Sequence, residues 1–381
     1  MASLPADFAD WLDYAAIVAL LVYGWGHGPF VLAGFALALS LPYILVGPFV
    51  AVIVDWAPIR SVLVISYIGR AVVTLAFAFT GDAAVLLALV FLRGVIDSAF
   101  TPARQAAVQA TTPAYLLGHA NGLHQAINQT SKIAGPAIGG LLLAFCPAQS
   151  VFMLNSGLSL IAALIALTLT IVPHEPRNER GRFFIEALAG ISEFGRSRRL
   201  LAALVFSAFA YFSFFLYDAL IALLAEGFGF GAAAFGFSIA ASGLGGLIGA
   251  LVAGPIAAKH PIATMAVAAI ASGLATATLA TAAMAGWQLH LATFLLVLTL
   301  MGGATAFMLV PYRTIVQAET PHDRIGRVFA AGEAVITLIM LSAPLIGSAI
   351  AARWGAPAAF LVGGCLLVLL GVTTAVNVRR E

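Results

Sequence analysis

The sequence predicts an all-α polytopic membrane protein, with twelve transmembrane helices in two pseudo-symmetric six-helix bundles. Three observations carry this. Of 381 residues, 62% are hydrophobic and only 9% charged, whereas about a quarter of a soluble domain is charged. Apolar runs of about 20 residues, long enough to cross a bilayer, recur along the whole chain. The chain also repeats itself. "VQATTP" at 108–113 returns as "VQAETP" at 316–321, Gly118 as Gly326, and "GPAIGG" at 135–140 as "APLIGS" at 343–348, all at one offset of 208. "VAVIVDWAPI" at 50–59 is echoed more weakly by "VAGPIAAKHPI" at 252–262. Two homologous bundles imply a pseudo-two-fold axis, with a site near mid-membrane at their interface.

The spans are expected near 9–26, 29–53, 61–80, 83–105, 118–145, 149–172, 200–224, 231–257, 262–285, 288–312, 327–352 and 356–377. Residues 1–173 then form the first bundle, the polar stretch 174–199 a cytoplasmic linker, and 200–381 the second bundle. The N-terminus lacks a basic n-region and a small-residue cleavage site, so the first span is expected to be retained. With both ends inside, the cytoplasmic segments hold fourteen of the 18 Lys and Arg residues and the outer loops hold Arg353 alone, while Arg70, Arg93 and Lys132 fall within spans. That asymmetry is a positive-inside signal. The expected location is a cell membrane of the bacterial inner type, with both termini cytoplasmic. The basic residues border lipid headgroups, so the net charge of +2 does not point to nucleic acid. Cys146, at an outer helix end, and Cys365, in mid-span, read as core thiols without a disulfide.

Ionisable groups inside spans are costly, so each is a functional candidate. In the first span Asp10 is interfacial, and Asp13, about one turn deeper, is a candidate for protonation. Asp55 ends the second span beside basic loops; it can pair with Arg60 or with a helix N-terminus, or stand as a solvated charge. In the third span Arg70 reads as a lipid-side or packing residue whose charge snorkels to the interface. In the fourth, Arg93 and Asp97 are one turn apart on one face and are positioned to pair.

The fifth span carries Asn121, Gln125, Asn128 and Lys132, whose steps of four, three and four put them on one face. They are either a substrate and proton path or an interhelical polar seam. His124 flanks them. Further along, Ala134, Gly135, Ala137, Gly139 and Gly140, with Pro136 among them, make a smooth surface on which another helix can come close. The proline removes one helical hydrogen bond, which a covering neighbour makes tolerable. The natural partner is the eighth span, whose "SGLGGLIGALVAG" at 242–254 contains Gly245 and Gly249. The contact is either a sliding joint or ordinary tight packing. In the seventh span Ser207, Tyr211 and Asp218, spaced by four and seven, share one helical face; Asp218 is a proton site, a partner for a cationic substrate, or a hydrogen bond that fixes the helix. In the eleventh span Glu333 aligns with Gln125 under the 208 offset, and is either a proton site or a carboxylate favoured near a helix N-terminus.

These motifs resemble the major facilitator superfamily of permeases over essentially the whole chain, and most of all its drug and siderophore exporter branch. The stretches "FLRGVIDSAFTPARQAAVQATTP", "HANGLHQAINQTSKIAGPAIGG" and "VFMLNSGLSLIAALIAL" carry the resemblance. It implies that Arg93 is the mid-membrane arginine of the fourth helix, active in proton coupling or in contact with an anionic substrate. It implies that Gly135, Pro136, Gly139 and Gly140 are the fifth-helix motif of proton-coupled antiporters, meeting the eighth helix across the half-to-half interface. Asp55 and Arg60 match the loop between helices two and three, although Ala51 stands for the usual glycine and Trp56 for the usual arginine.

The sequence has no phosphate-binding loop, metal-ligand cluster or nucleophile motif, and the linker is too short for a nucleotide domain. An ion gradient is then the available drive, at about 2.3 kcal/mol per charge per 100 mV. The expected function is alternating-access, proton-coupled export of a small amphiphilic molecule such as a drug, siderophore or metabolite, with no cofactor and no enzyme activity. The expected partners are the substrate, protons and the lipid bilayer, and the expected state is a monomer. The rivals are an importer or lysolipid flippase of the same fold, and a membrane sensor or enzyme on a transporter scaffold.

Overall fold

A computed structural model describes the backbone of residues 3–47, 49–50, 57–113, 116–169, 192–321 and 325–378. Most of the expected linker, through residue 191, and Asp55 lie outside the described residues.

Helices account for nearly all of the described chain: α1 (Ser3–Ala19), α2 (Pro29–Leu45), α3 (Ile59–Phe77), α4 (Ala83–Thr111), α5 (Leu117–Phe145), α6 (Ala148–Leu167), α7 (Arg198–Phe215), α8 (Ala232–Lys259), α9 (Pro261–Met284), α10 (Leu291–Glu319), α11 (Ile325–Trp354) and α12 (Ala356–Val378). A π-helical turn, Leu20–Gly24, extends α1, and a 3-10 turn, Asp218–Leu220, followed by the short helix Ile221–Gly227, extends α7. No strand occurs among the described residues. Among them, nine helices are long and apolar enough to cross a membrane, and Trp11–Gly24, Pro29–Leu45 and Ile133–Phe145 are shorter apolar helices. Twelve spans were expected; α4 outruns its expected end, reaching Thr111 rather than residue 105.

Local chemistry sets several ends. The Asp82 carboxylate accepts from the Val85 amide at 3.0 Å, and the Ser197 hydroxyl accepts from the Leu200 amide at 3.3 Å, each satisfying one free donor at a helix start. Pro261 stands in the first turn of α9, where its missing N–H costs nothing. Between α11 and α12 the chain turns at Gly355 with φ of 85°, a conformation that glycine adopts without steric cost.

By contact density the chain forms two compact units: Met1–His27, Gly34–Asn178 and Gly231–Ala240 make the first, and Gly28–Ala33, Glu179–Phe230 and Ala241–Glu381 the second. Within the first, α1 packs on α5 and α6, and α3 on α4 and α6. Within the second, α7 packs on α11 and α12, and α9 on α10 and α12. The second set is the first advanced by six helices, as the 208-residue repeat requires. The core of the first unit gathers Leu63, Tyr67, Phe100, Ala103 and Ala162; that of the second gathers Leu204, Phe206, Met265, Met308, Tyr312 and Val328. Many large apolar side chains point outward instead, Ile65 at 69% and Phe209 at 58% exposure among them. On a soluble protein they would be a liability; here they are the face that meets lipid.

Both cysteines are free and exposed, so Cys146 and Cys365 lie on this outer face and not in the core as expected.

Candidate functional site

Among the described residues, the charged groups that the spans bury converge in the first unit. Asp13 comes from α1, Arg70 from α3, and Arg93 and Asp97 from α4. Asp13 is 1% exposed, Arg70 0% and Arg93 7%. The Arg93 guanidinium donates to Asp13, and its Nε lies 3.8 Å from an Asp97 oxygen. The other Asp97 oxygen lies 3.2 Å from Arg70 Nε. The four groups form a chain of alternating sign, Asp13–Arg93–Asp97–Arg70, with two charges of each kind. Buried ions survive in lipid only when paired in this way.

Two expectations change here. The one-turn pair Arg93–Asp97 exists but is the longer contact, because Asp13 engages Arg93 across 80 positions of sequence. Arg70 is no snorkelling residue at the lipid face. It is fully buried, pairs with Asp97, and places its guanidinium 5.0 Å from the Phe100 ring centre. Arg104 lies 5.2 Å from the same ring, so two cations lie within cation–π range of Phe100. A signal for Arg70 was present: Ser66, Arg70 and Thr74 are buried at steps of four on α3, a polar stripe on the face that also buries Leu63, Tyr67 and Phe77.

Asn155 on α6 was also missed. It is fully buried, acts on Asp13, and accepts from the Ser159 hydroxyl at 3.3 Å. A single asparagine in an apolar helix carries little sequence signal.

Above this cluster lies a cavity of about 250 Å³ with Asp13, Arg93 and Asp97 in its wall. The rest of the lining is apolar and aromatic, led by Trp11, Tyr14, Phe35, Tyr43 and Phe77. Tyr14 organises it, with ring centres 6.0 Å from Trp11, 5.5 Å from Phe35 and 6.5 Å from Phe235. At one side of the cavity α2 approaches α4 at a glycine: a Cβ on Gly94 would stand 2.7 Å from Pro42. Tyr43, next to Pro42, lines the same cavity as Arg93 and Asp97.

In the second unit, Ser207 and Tyr211 line a small space of about 20 Å³ with Ala210, Phe214, Thr305 and Met308. Glu333, exposed on α11, acts electrostatically on Tyr211 and Tyr312. Asp218 does not share a helical face with Ser207 and Tyr211. Regular α7 stops at Phe215, where Tyr217 packs on Phe360 at 4.6 Å and the Leu216 carbonyl lies against Gly347, so Asp218 opens a 3-10 turn. The side chains of Gln125, Asn128 and Lys132 lie outside the described residues.

The glycines divide into distinct contacts. Gly139 faces α1, where a Cβ would meet Leu12 and Ala15 at ordinary distances of 3.4 and 3.5 Å. Gly140 meets Gly236 backbone to backbone: a Cβ on Gly236 would lie 2.4 Å from the Gly140 Cα and 2.5 Å from the Pro136 carbonyl oxygen. So α5 meets α8 at Gly236; the stretch expected to seat it was 242–254. There, Gly245 and Gly249 face α10: added Cβ atoms would stand 1.8 Å from the Thr299 oxygen and 2.6 Å from the Gly303 oxygen. Gly135 and Pro136 are buried. Arg60 is exposed and donates to the Leu167 carbonyl, closing the C-terminal end of α6.

Comparison with known proteins agrees with this architecture. The model of the Major Facilitator Superfamily matches residues 4–331 and 205–381. YfiS of Bacillus subtilis (strain 168), an MFS-type transporter, is 26% identical over 381 residues, covering 98% of this chain and 90% of its own. Macrolide efflux protein A of Streptococcus pyogenes is 24% identical over 350 residues, covering 87% and 83%. Among solved structures, the nucleoside transporter NupG superposes with a TM-score of 0.76 at 14% identity over 98% of both chains. The chain is a multi-pass membrane transporter rather than an enzyme, and it belongs to the major facilitator superfamily.

Proposed function

We propose that the protein exports a small amphiphilic molecule across a bacterial inner membrane in exchange for protons, by alternating access between two bundles, 1–173 and 200–381. The observation that carries this reading is the cavity of about 250 Å³ in the first unit, aromatic on its walls and ionic on one side. Aromatic walls bind an apolar body without demanding one shape. The ionic side supplies the coupling. Arginine does not give up its proton, so a proton entering the cluster goes to a carboxylate. On Asp13 it neutralises one charge and leaves Arg93 short of a counter-ion. Arg93 then draws closer to Asp97 or to a polar group of the substrate. Loading a proton and binding a substrate thus act on the same guanidinium, which is the linkage an exchanger needs.

Export is favoured over import by the likeness to an efflux protein over most of the chain. The arginines of the linker, the α7 start and the chain end support a cytoplasmic position for both termini. The exporter works as a monomer without a cofactor. Cells with and without the protein would be loaded with a radiolabelled macrolide and the efflux followed, alongside a comparison of metabolites inside and outside the cells. Faster efflux that an uncoupler abolishes supports the reading. Faster uptake, or an effect that survives the uncoupler, contradicts it.

A further inference from the structure

The second unit carries a larger cavity of about 470 Å³ that the transport reading leaves unused. It is a groove between α8, α9 and α10, lined by Ile256, Ala263, Val267, Ala271, Ala304 and Phe307, with Thr264 and Ala268 behind them. Its polar atom is already satisfied, because the Thr264 hydroxyl donates to the His260 carbonyl at 2.7 Å. The rim is exposed, Val267 at 66% and Ile256 at 46%, so the groove opens on the outer apolar face of the helices. Alanines at 263, 268, 271 and 304 make the depression between these larger neighbours.

Size and charge specify the occupant. From Ala263 to Ala271 the groove runs about 12 Å at the helical rise per residue. One leaflet of the hydrocarbon core is about 15 Å deep. At its end stands Lys259, exposed in the last turn of α8 and one turn beyond Ile256. Neither α8 nor α9 contains an acidic residue. Glu319, which ends α10, is already engaged by Ser197 at 2.9 Å and Arg199 at 3.8 Å. A cation with no acidic residue on its own helix or on the next, at the end of a leaflet-deep apolar slot, fits a lipid of negative headgroup.

We propose that this groove holds one acyl chain of an anionic phospholipid, with the lipid phosphate on Lys259. The alanine floor takes the methylenes, and the ammonium takes the headgroup charge that a zwitterionic lipid offsets internally. Its occupancy does not depend on transport.

The purified full chain would be placed in nanodiscs of equal parts phosphatidylglycerol and acyl-matched phosphatidylcholine, and the lipids kept after gentle release counted by native mass spectrometry. Retention should favour phosphatidylglycerol by about fivefold, the worth of one basic residue at an anionic surface. Lys259→Gln should bring the two lipids to parity and Lys259→Arg should keep the preference. Ala271→Leu, which fills the slot from an exposed position, should lower retention of both lipids. Equal retention by the unmodified chain, or an undiminished preference in Lys259→Gln, would overturn the proposal. Because the readout is lipid retention, a failed export reading leaves it standing, and the reverse holds too.

Discussion

Arg93 holds the carboxylates of Asp13 and Asp97 with one guanidinium, so removing a member of the cluster leaves its charges unbalanced in a largely buried place. Arg93→Gln should lower stability by about 3–5 kcal/mol, the usual cost of orphaning a buried charge. The double change Asp13→Asn, Arg93→Gln should regain most of that loss, because no lone Asp13 charge remains. Thermal unfolding of the three variants in detergent checks this, and additive losses would show that the two do not interact. Arg70→Gln should cost a similar amount through Asp97, where a lipid-facing arginine would cost almost nothing. The sequence made Arg93, Asp97 and Asp13 visible as misplaced charges, but it could not show who pairs with whom. The decisive partner lies 80 positions away and on another helix. Arg70 was misjudged because its own helix was read without its burial stripe of Ser66 and Thr74.

Glycine positions that look alike in a helix differ sharply in what they touch. Gly140 and Gly236 bring α5 and α8 to backbone contact, and Gly245 and Gly249 do the same for α8 and α10. Each Cβ added there meets backbone, which cannot rotate away. Gly140→Ala and Gly245→Ala should therefore each cost about 1–3 kcal/mol, in line with overpacking elsewhere. Gly139→Ala should be nearly neutral, since its Cβ would meet Leu12 and Ala15 at ordinary distances. Melting temperatures of the three variants separate the cases; a costly Gly139→Ala or a neutral Gly245→Ala would refute this division. That small residues seat a neighbouring helix was legible in "GPAIGG" and "SGLGGLIGALVAG". Which helix each one seats was not, because every α-helix offers several faces and sequence gives no partner. The seventh helix shows the same limit: its polar spacing assumed an unbroken helix, and packing of Tyr217 and Leu216 ends it before Asp218.

At the scale of the molecule the repeat was the most readable feature. Residues related by the offset occupy related contacts: Gly139 seats α5 on α1, and Gly347 seats α11 on α7. Periodic hydrophobicity and a fixed offset survive in sequence because each helix must face lipid on one side and a fixed set of neighbours on the other. Cavities leave no such trace, since they are spaces that several helices fail to fill. The same symmetry frames the account of transport, in which one bundle holds a buried ion cluster beside an aromatic cavity. Its central claim is that Asp13 exchanges a proton for substrate through Arg93. Everted membrane vesicles, acidified inside and supplied with labelled macrolide outside, test that claim most directly. Vesicles with the unmodified protein should accumulate the label against its gradient. Those with Asp13→Asn should lose this uphill uptake while still exchanging label downhill. Uphill accumulation that persists in Asp13→Asn would contradict the account.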